Sequence, residues 1–338
     1  MQLFYPSHDI ALSNGVRHFN PPAAAMRLQE DLASLSEIWN QPYRRGEQPI
    51  PLPWGWDYDT RKYIHDAHGI KMTQLPTDQE LEVIRQLSSR RTTIGLLEHL
   101  NAEAGPFEVS KPRWIDSEEQ LFDYIRQQQN DGRRFVLKTP WSSSGRGLLM
   151  SHNRNREGRL NAANPEVLMR QACGTIRKMG GIIGETWVEG KERDFAMLFY
   201  ASDKAVRFIG YSLFDNDNST GGTTYRQGYL LSNEEIEKRL GVDTERLHLI
   251  ARGLEGCLTH LAEPLLDRPW HLGYMGIDMM TYRQDGELRI HPCIELNLRC
   301  TMGVVCRLWY DQQQQEGTFS ISPMMTDGHF KAEFKTGR

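Results

Sequence analysis

The sequence predicts an α/β protein, α+β in the way its elements are distributed, and three stretches carry that prediction. Residues 2–5 (QLFY) read as a short strand that runs into a polar loop at 6–14 and then a helical pattern over 23–39, the opening of a layered α/β domain. Residues 134–138 (RFVLK) form an apolar strand, and a helix starting at Asn164 and Pro165 leads to a second strand-like run at 181–188 (GIIGETWV). The C-terminal half is richer in strands and contains GIDMMTYRQDGELRIHPCIELN at 276–297, where Asp285–Gly286 is a strong two-residue hairpin signal.

Between these landmarks the spacing predicts helices over 78–87 and 92–101, turns over 105–112, a helix capped by Ser117 and running to about 129, and another over 244–263. Residues 41–58 are rich in Pro, Trp and Gly without a clear period; such a loop is either functional or packed by its own aromatics. The glutamine runs at 127–129 and 312–315 are too short to form low-complexity domains.

Composition limits the function. With 338 residues, 39% hydrophobic and 25% charged, the chain is that of an ordinary soluble protein of two or three domains. A formal net charge of −4 and a pI near 6.3 leave no broad basic surface, so nucleic acid is not the expected partner. The first residues lack a signal-peptide pattern and no eighteen apolar residues run together, so a cytoplasmic protein without a membrane partner is expected. Five cysteines without a CxxC pair point to buried free thiols.

The segment 138–147 (KTPWSSSGRG) follows a strand and combines small residues with Lys138. Successive backbone N–H groups with small side chains make an anion-binding concavity, although the P-loop spacing is missing and a surface turn has the same composition. In the hairpin, an unbroken register pairs Gln284 with Glu287 and Asp278 with Cys293. Asp278, Glu295 and Asn297 then share one face, a set of hard oxygen donors suited to Mg²⁺ held together with a polyphosphate. A solvated sheet face alternates in the same way.

Lys138 with its Ser/Gly loop, GETWVEGKERDFAML at 184–198, and Asp278 ahead of IELNLR at 294–299 resemble, in this order, the ATP-grasp superfamily, and in detail the D-alanine:D-alanine ligase-like carboxylate-amine ligases. The resemblance spans about 90–303. It implies an N-terminal Rossmann-like domain (1–112), a small central lid (113–188) and a C-terminal mixed-sheet domain with the metal site (189–338). It implies that Lys138, Ser142, Ser143, Ser144, Gly145, Arg146 and Gly147 hold nucleotide phosphates. Glu185, Thr186, Trp187 and Val188 match the adenine hinge, and Glu192 the ribose carboxylate. Asp278, Glu295 and Asn297 match the metal ligands, for magnesium or manganese, and Arg299 a contact to phosphoryl or substrate carboxylate.

Two departures mark a divergent branch. Arg91, with Arg90 beside it, stands where a second phosphate lysine is usual, and Leu298, Arg299, Cys300 and Thr301 replace the Pro-Gly of the dipeptide ligase. On the substrate side His8 and Asp9 fit an amine-binding role or ordinary capping, and Arg226 belongs to a lid-like polar stretch at 216–226. The function implied is ATP-dependent ligation of a small carboxylate to an amine or thiol, amino acids and peptides included. A kinase and a non-catalytic ATP-binding module remain as alternatives, and a homodimer stays open.

Overall fold

The computed structural model describes residues 2–17, 19–142, 147–154, 160–217, 224–324 and 328–337. The first third carries α1 (His8–Asn14), α2 (Ala23–Asp31), α3 (Ser36–Trp39), α4 (Gln41–Arg44), α5 (Tyr58–His68), α6 (Asp78–Leu87) and α7 (Thr92–Glu103). No described residue before Arg113 lies in a strand, which corrects the expected strand at 2–5 and, with it, the Rossmann-like N-terminal domain. Leu3 and Phe4 are fully buried, but the Leu3 carbonyl accepts from the Trp54 amide at 2.7 Å instead of joining a ladder. A short apolar run says "buried" before it says "strand". The polar loop expected at 6–14 is mostly α1, closed by Gly15 in the left-handed region (φ 63°).

The irregular stretch at 41–58 is packed by aromatics. Trp39, Trp54 and Trp56 are each at most 5% exposed. The Trp39 indole N–H donates to the Leu52 carbonyl at 3.0 Å and that of Trp56 to the His271 carbonyl at 2.8 Å. Trp39 and Trp56 therefore keep their polar handles satisfied.

The middle segment holds β1 (Arg113–Ile115), α8 (Glu118–Asn130), β2 (Phe135–Lys138), β3 (Leu148–Met150), β4 (His152–Arg154), β5 (Leu160–Ala162), α9 (Pro165–Met179) and β6 (Ile182–Thr186). β1, β6, β2 and β3 form one sheet in that order, and β4 pairs with β5. The expected caps are present: the Ser117 hydroxyl accepts from the Gln120 amide, and the Asn164 side chain from Glu166 and Val167. One apolar cluster lies wholly within this segment, built from residues such as Ile115, Leu121, Leu137, Ala172 and Ile182.

The remainder supplies β7 (Lys191–Ala201), β8 (Val206–Asp217), β9 (Thr224–Leu230), α10 (Asn233–Leu240), α11 (Thr244–Ala262), β10 (Gly273–Gln284), β11 (Glu287–Asn297), α12 (Met302–Gln313), β12 (Gly317–Pro323) and β13 (Phe330–Thr336). Seven strands form a sheet in the order β11-β10-β7-β8-β9-β12-β13. Every pairing in it is antiparallel, where a mixed sheet was expected.

Period-two alternation splits β7 between two cores. Phe195, Met197 and Phe199 pack with Leu96 and Leu100 of α7 and Leu254 of α11, while Ala196 and Leu198 pack with Val304 of α12 and with Phe4, Trp39 and Trp54. Residues before Arg113 therefore contribute to both faces of the C-terminal sheet and share its core. Among the described residues no helix is long and apolar enough to cross a membrane.

Candidate functional site

The turn between β10 and β11 has Asp285 (φ 52°) and Gly286 (φ 84°) in the left-handed region that a two-residue hairpin requires. The register follows the sequence reading from Gln284↔Glu287 to Met280↔His291 and then slips. Beyond the slip Asp278 faces Glu295, not Cys293 as the unbroken register predicts, and Gly276 faces Asn297. Pro292, which lacks an N–H, lies in the irregular stretch, a position where strands tolerate proline.

One residue on β10 is spanned by three on β11, so the slip is two residues and the pleat is preserved. Asp278, Glu295 and Asn297 consequently share a face, with the two carboxylates directly opposed. Cys293 is buried instead in the core with Ile277, Met279 and Leu296. The Asn297 amide donates to Asp278 Oδ2 at 3.1 Å. Burial, followed by the Glu295 charge, pushes the Asp278 carboxyl up to about 7.

Arg90 holds this group from above the sheet. Only 4% exposed, it places Nη2 at 2.8 Å from Glu295 Oε1 and donates through Nη1 to the Thr139 carbonyl at 2.8 Å and the Ser142 hydroxyl at 2.7 Å. Its own amide donates to the Pro140 carbonyl at 2.9 Å. Arg91 turns the other way and lies over the Trp114 ring, 4.9 Å from the centroid. Sequence reasoning put Arg91 in the site, because adjacent arginines before a helix give no sign of which one points inward.

The segment after β2 is fixed at both ends. The Thr139 amide donates to the Gly147 carbonyl at 3.0 Å. Gly147 has φ 74°, and a Cβ there would fall 2.3 Å from Thr139 Oγ1, so glycine is required by conformation and by space. Ser142 lies within the described residues; Ser143, Ser144, Gly145 and Arg146 lie outside them. Lys138 ends β2 with Nζ at 2.5 Å from Glu185 Oε2 on β6, both side chains being about one tenth exposed.

These charges sit close to β11. Burial and the Lys138 charge drive the His291 imidazole down to about 3, and its Nδ1 has no hydrogen-bond partner. An imidazole that stays neutral when folded but protonates when unfolded costs stability as pH falls. The unfolded chain takes up the proton below about 6.5, and the folded one does so only near 3. His291→Leu is therefore expected to flatten the loss of stability between pH 6.5 and 4 in urea melts; an unchanged slope would refute this.

The other hinge and ribose candidates are placed as follows. The Thr186 hydroxyl donates to Gln128 Oε1 at 3.0 Å, toward α8. The Trp187 amide donates to the Arg134 carbonyl at 2.8 Å, and its ring meets His152 edge-on at 5.0 Å. Val188 is half-buried. Glu192 is exposed and pairs with Arg283 at 3.1 Å. Arg226 is exposed on β9, separated from β10 by β7 and β8, and residues 218–223 of its loop lie outside the described residues.

The N-terminal contribution comes from α1. Arg299 binds Asp9 through a fork, Nε to Oδ1 at 2.9 Å and Nη2 to Oδ2 at 2.8 Å. Burial alone raises the Asp9 carboxyl, but the charge and hydrogen bonds of Arg299 outweigh it and hold the group below its ordinary value. His8 Nδ1 is 2.8 Å from Asp57 Oδ2. His8, Asp9, Ser142, Glu295, Asn297 and Arg299 line one cleft. Segments from the two ends of the chain and the serine-rich stretch thus meet around the acidic face.

Among the described residues no group of three or more His, Cys, Asp or Glu side chains is arranged to hold a metal ion. Two opposed carboxylates and an amide instead fit a hard cation whose remaining oxygens come from a ligand. Burial first, and the Glu295 charge second, raise the Asp278 carboxyl, and a divalent cation beside the pair would oppose both.

No family model matches the chain, and no curated protein does. Similar solved structures include D-cycloserine synthetase DcsG, at 14% identity and TM-score 0.44 over 82% of this chain and 81% of that one. An ADP complex of N5-carboxyaminoimidazole ribonucleotide synthetase shares 17% identity at TM-score 0.39 over 72% of this chain and 52% of its own, so the present chain spans about half of that protein. The biotin carboxylase domain of Hydrogenobacter thermophilus 2-oxoglutarate carboxylase, with MgADP and bicarbonate, shares 12% identity at TM-score 0.46 over 90% and 64% of the two chains.

Proposed function

We propose that this chain is an ATP-grasp enzyme, an ADP-forming ligase that joins a small carboxylate to an amine or thiol. The observation that carries the reading is the meeting of Ser142 and Arg90 with the opposed Asp278–Glu295 pair, Ser142 lying four residues after the Lys138 that ends β2. Glu295, Asp278 and the Asn297 oxygen would hold magnesium, which when bound would supply positive charge to offset that of the ATP phosphates. Lys138 leaves Glu185 to meet a phosphate, and the segment between Thr139 and Gly147 lends its amides to the phosphate oxygens.

Arg299, held rigid by Asp9, turns its remaining donors to the substrate carboxylate or the phosphoryl group in transit. No side chain forms a covalent bond in this scheme. The carboxylate oxygen attacks the γ-phosphorus, ADP leaves, and the nucleophile then displaces phosphate from the acyl phosphate; the protein orients the partners and excludes water.

A screen of amino acids, short peptides and simple amines for stimulated ADP release tests the reading. A carboxylate and an amine together are expected to raise turnover, with a new amide as product. Glu295→Gln is expected to lower kcat by about 10²–10³, the range for losing one electrostatic contact to the transition state. A stable phosphorylated product would assign the kinase alternative, and ATP binding without turnover across the panel the binding module.

A further inference from the structure

Helix α1 brings two adjacent residues to the cleft described above: Asp9, which fixes Arg299, and His8. His8 is 1% exposed, and its Nδ1 lies 2.8 Å from Asp57 Oδ2. Asp57 is itself held in place. Its Oδ1 accepts from the Thr60 amide at 2.8 Å and its own amide donates to the Thr60 hydroxyl at 2.9 Å, the capping box that starts α5. A carboxylate accepts only, so Nδ1 carries the hydrogen and the second ring nitrogen, Nε2, is left with a lone pair.

Nε2 is buried and has no hydrogen-bond partner among the described residues. A buried acceptor without a partner costs stability, and a histidine that only packed or capped would have no use for one. Gly55 keeps the space beside this nitrogen clear, since a Cβ there would fall 2.5 Å from it. An imidazole oriented by a carboxylate, with its other nitrogen free, is the arrangement of a general base. The walls of the same cleft include Arg299, Glu295 and Asn297, so a substrate held by them lies beside this ring.

We propose that His8 is a catalytic residue of the second half-reaction, the base that takes the proton of the attacking amine through Nε2. The assignment rests on the ligase reading above. The neutral amine nitrogen attacks the acyl phosphate carbon; a C–N bond forms and the carbonyl π pair moves onto oxygen. Bonded to that carbon, the nitrogen is positively charged and acidic, and its proton passes to Nε2. The C–O bond to phosphate then breaks, phosphate leaves with the electron pair, and the imidazolium, stabilised by Asp57, hands the proton to it.

Paired amide and hydroxamate assays test the assignment, with amino acids as the carboxylate panel and either a second amino acid or hydroxylamine as the nucleophile. Hydroxylamine is weakly basic, and its adduct sheds the proton to water without help. His8→Gln keeps a side chain able to donate to Asp57 but unable to take a proton, and it is expected to lower the ratio of amide to hydroxamate by about 10² or more. A purely structural His8 would lower both products alike and leave the ratio unchanged. In the wild-type protein, long-range ¹H–¹⁵N spectra of labelled histidine are expected to show His8 with its hydrogen on Nδ1. An unchanged ratio, or hydrogen on Nε2, overturns the assignment and leaves the ligase reading standing. A wild type that yields neither amide nor hydroxamate overturns the ligase reading and this assignment with it. The spectra decide the matter if the variant fails to fold.

Discussion

An Asp278→Asn protein is expected to melt at higher temperature than the parent in metal-free buffer and to have lost nearly all ADP release. The two effects share one cause. Asp278 and Glu295 are opposed across β10 and β11, and burial with that like charge lifts the Asp278 carboxyl to about 7. An acid raised in the folded state keeps its proton longer than in the unfolded chain. The contribution of this one carboxyl to the parent's stability is therefore fully present below the unfolded value near 3.8 and is lost as pH rises through about 7.

Asparagine carries no charge and fills the same volume, so the variant escapes that loss, by on the order of 2 kcal/mol at pH 8 after allowing for solvent screening. Catalytically the same change removes a carboxylate from the proposed cation site, with an expected fall of about 10³ in kcat. Melts in EDTA and in MgCl₂ read the first effect, and added magnesium is expected to narrow or reverse the gap. A variant less stable than the parent in EDTA at pH 8 would contradict the opposed-carboxylate geometry.

Arg90→Ala is expected to act in the opposite sense on stability. Arg90 is buried and links Glu295 to Thr139 and Ser142; alanine leaves Glu295 beside Asp278 without its counter-charge. Breaking one side of such a pair costs about 3–5 kcal/mol, most of it from the stranded charge. Adding Glu295→Gln should recover a large part, since the stranded charge is then gone, and the double-mutant cycle in urea melts measures the coupling. Arg90→Lys keeps the charge but not the fork, so an intermediate loss is expected. Additive losses in the double variant would mean that the two side chains do not interact in solution.

The helices were legible where capping chemistry marks them: Ser117 and Asn164 sit at the starts that their sequence signatures indicate. The shared face of Asp278, Glu295 and Asn297 was legible as well, because a two-residue slip at Pro292 leaves the alternation unchanged even though it moves every partner. What the sequence hid was long-range. Asp9 and Arg299 are 290 residues apart, and nothing local to either announces the pair. Leu3 and Phe4 have the apolar character of a strand, but whether a neighbour offers a ladder is decided by tertiary structure. The choice between Arg90 and Arg91 depended on how α7 leaves the preceding turn, a matter of a single residue.

The interlocked aromatic packing of residues 39–56 also bears on how the chain can be divided. Because Trp39, Trp54 and Trp56 bury themselves against the large sheet, a fragment beginning at residue 113 would strip two faces of that sheet and expose wide apolar areas to water. The piece that carries its own core is 113–188, so limited proteolysis should release that portion intact before it yields any soluble product containing β10 and β11.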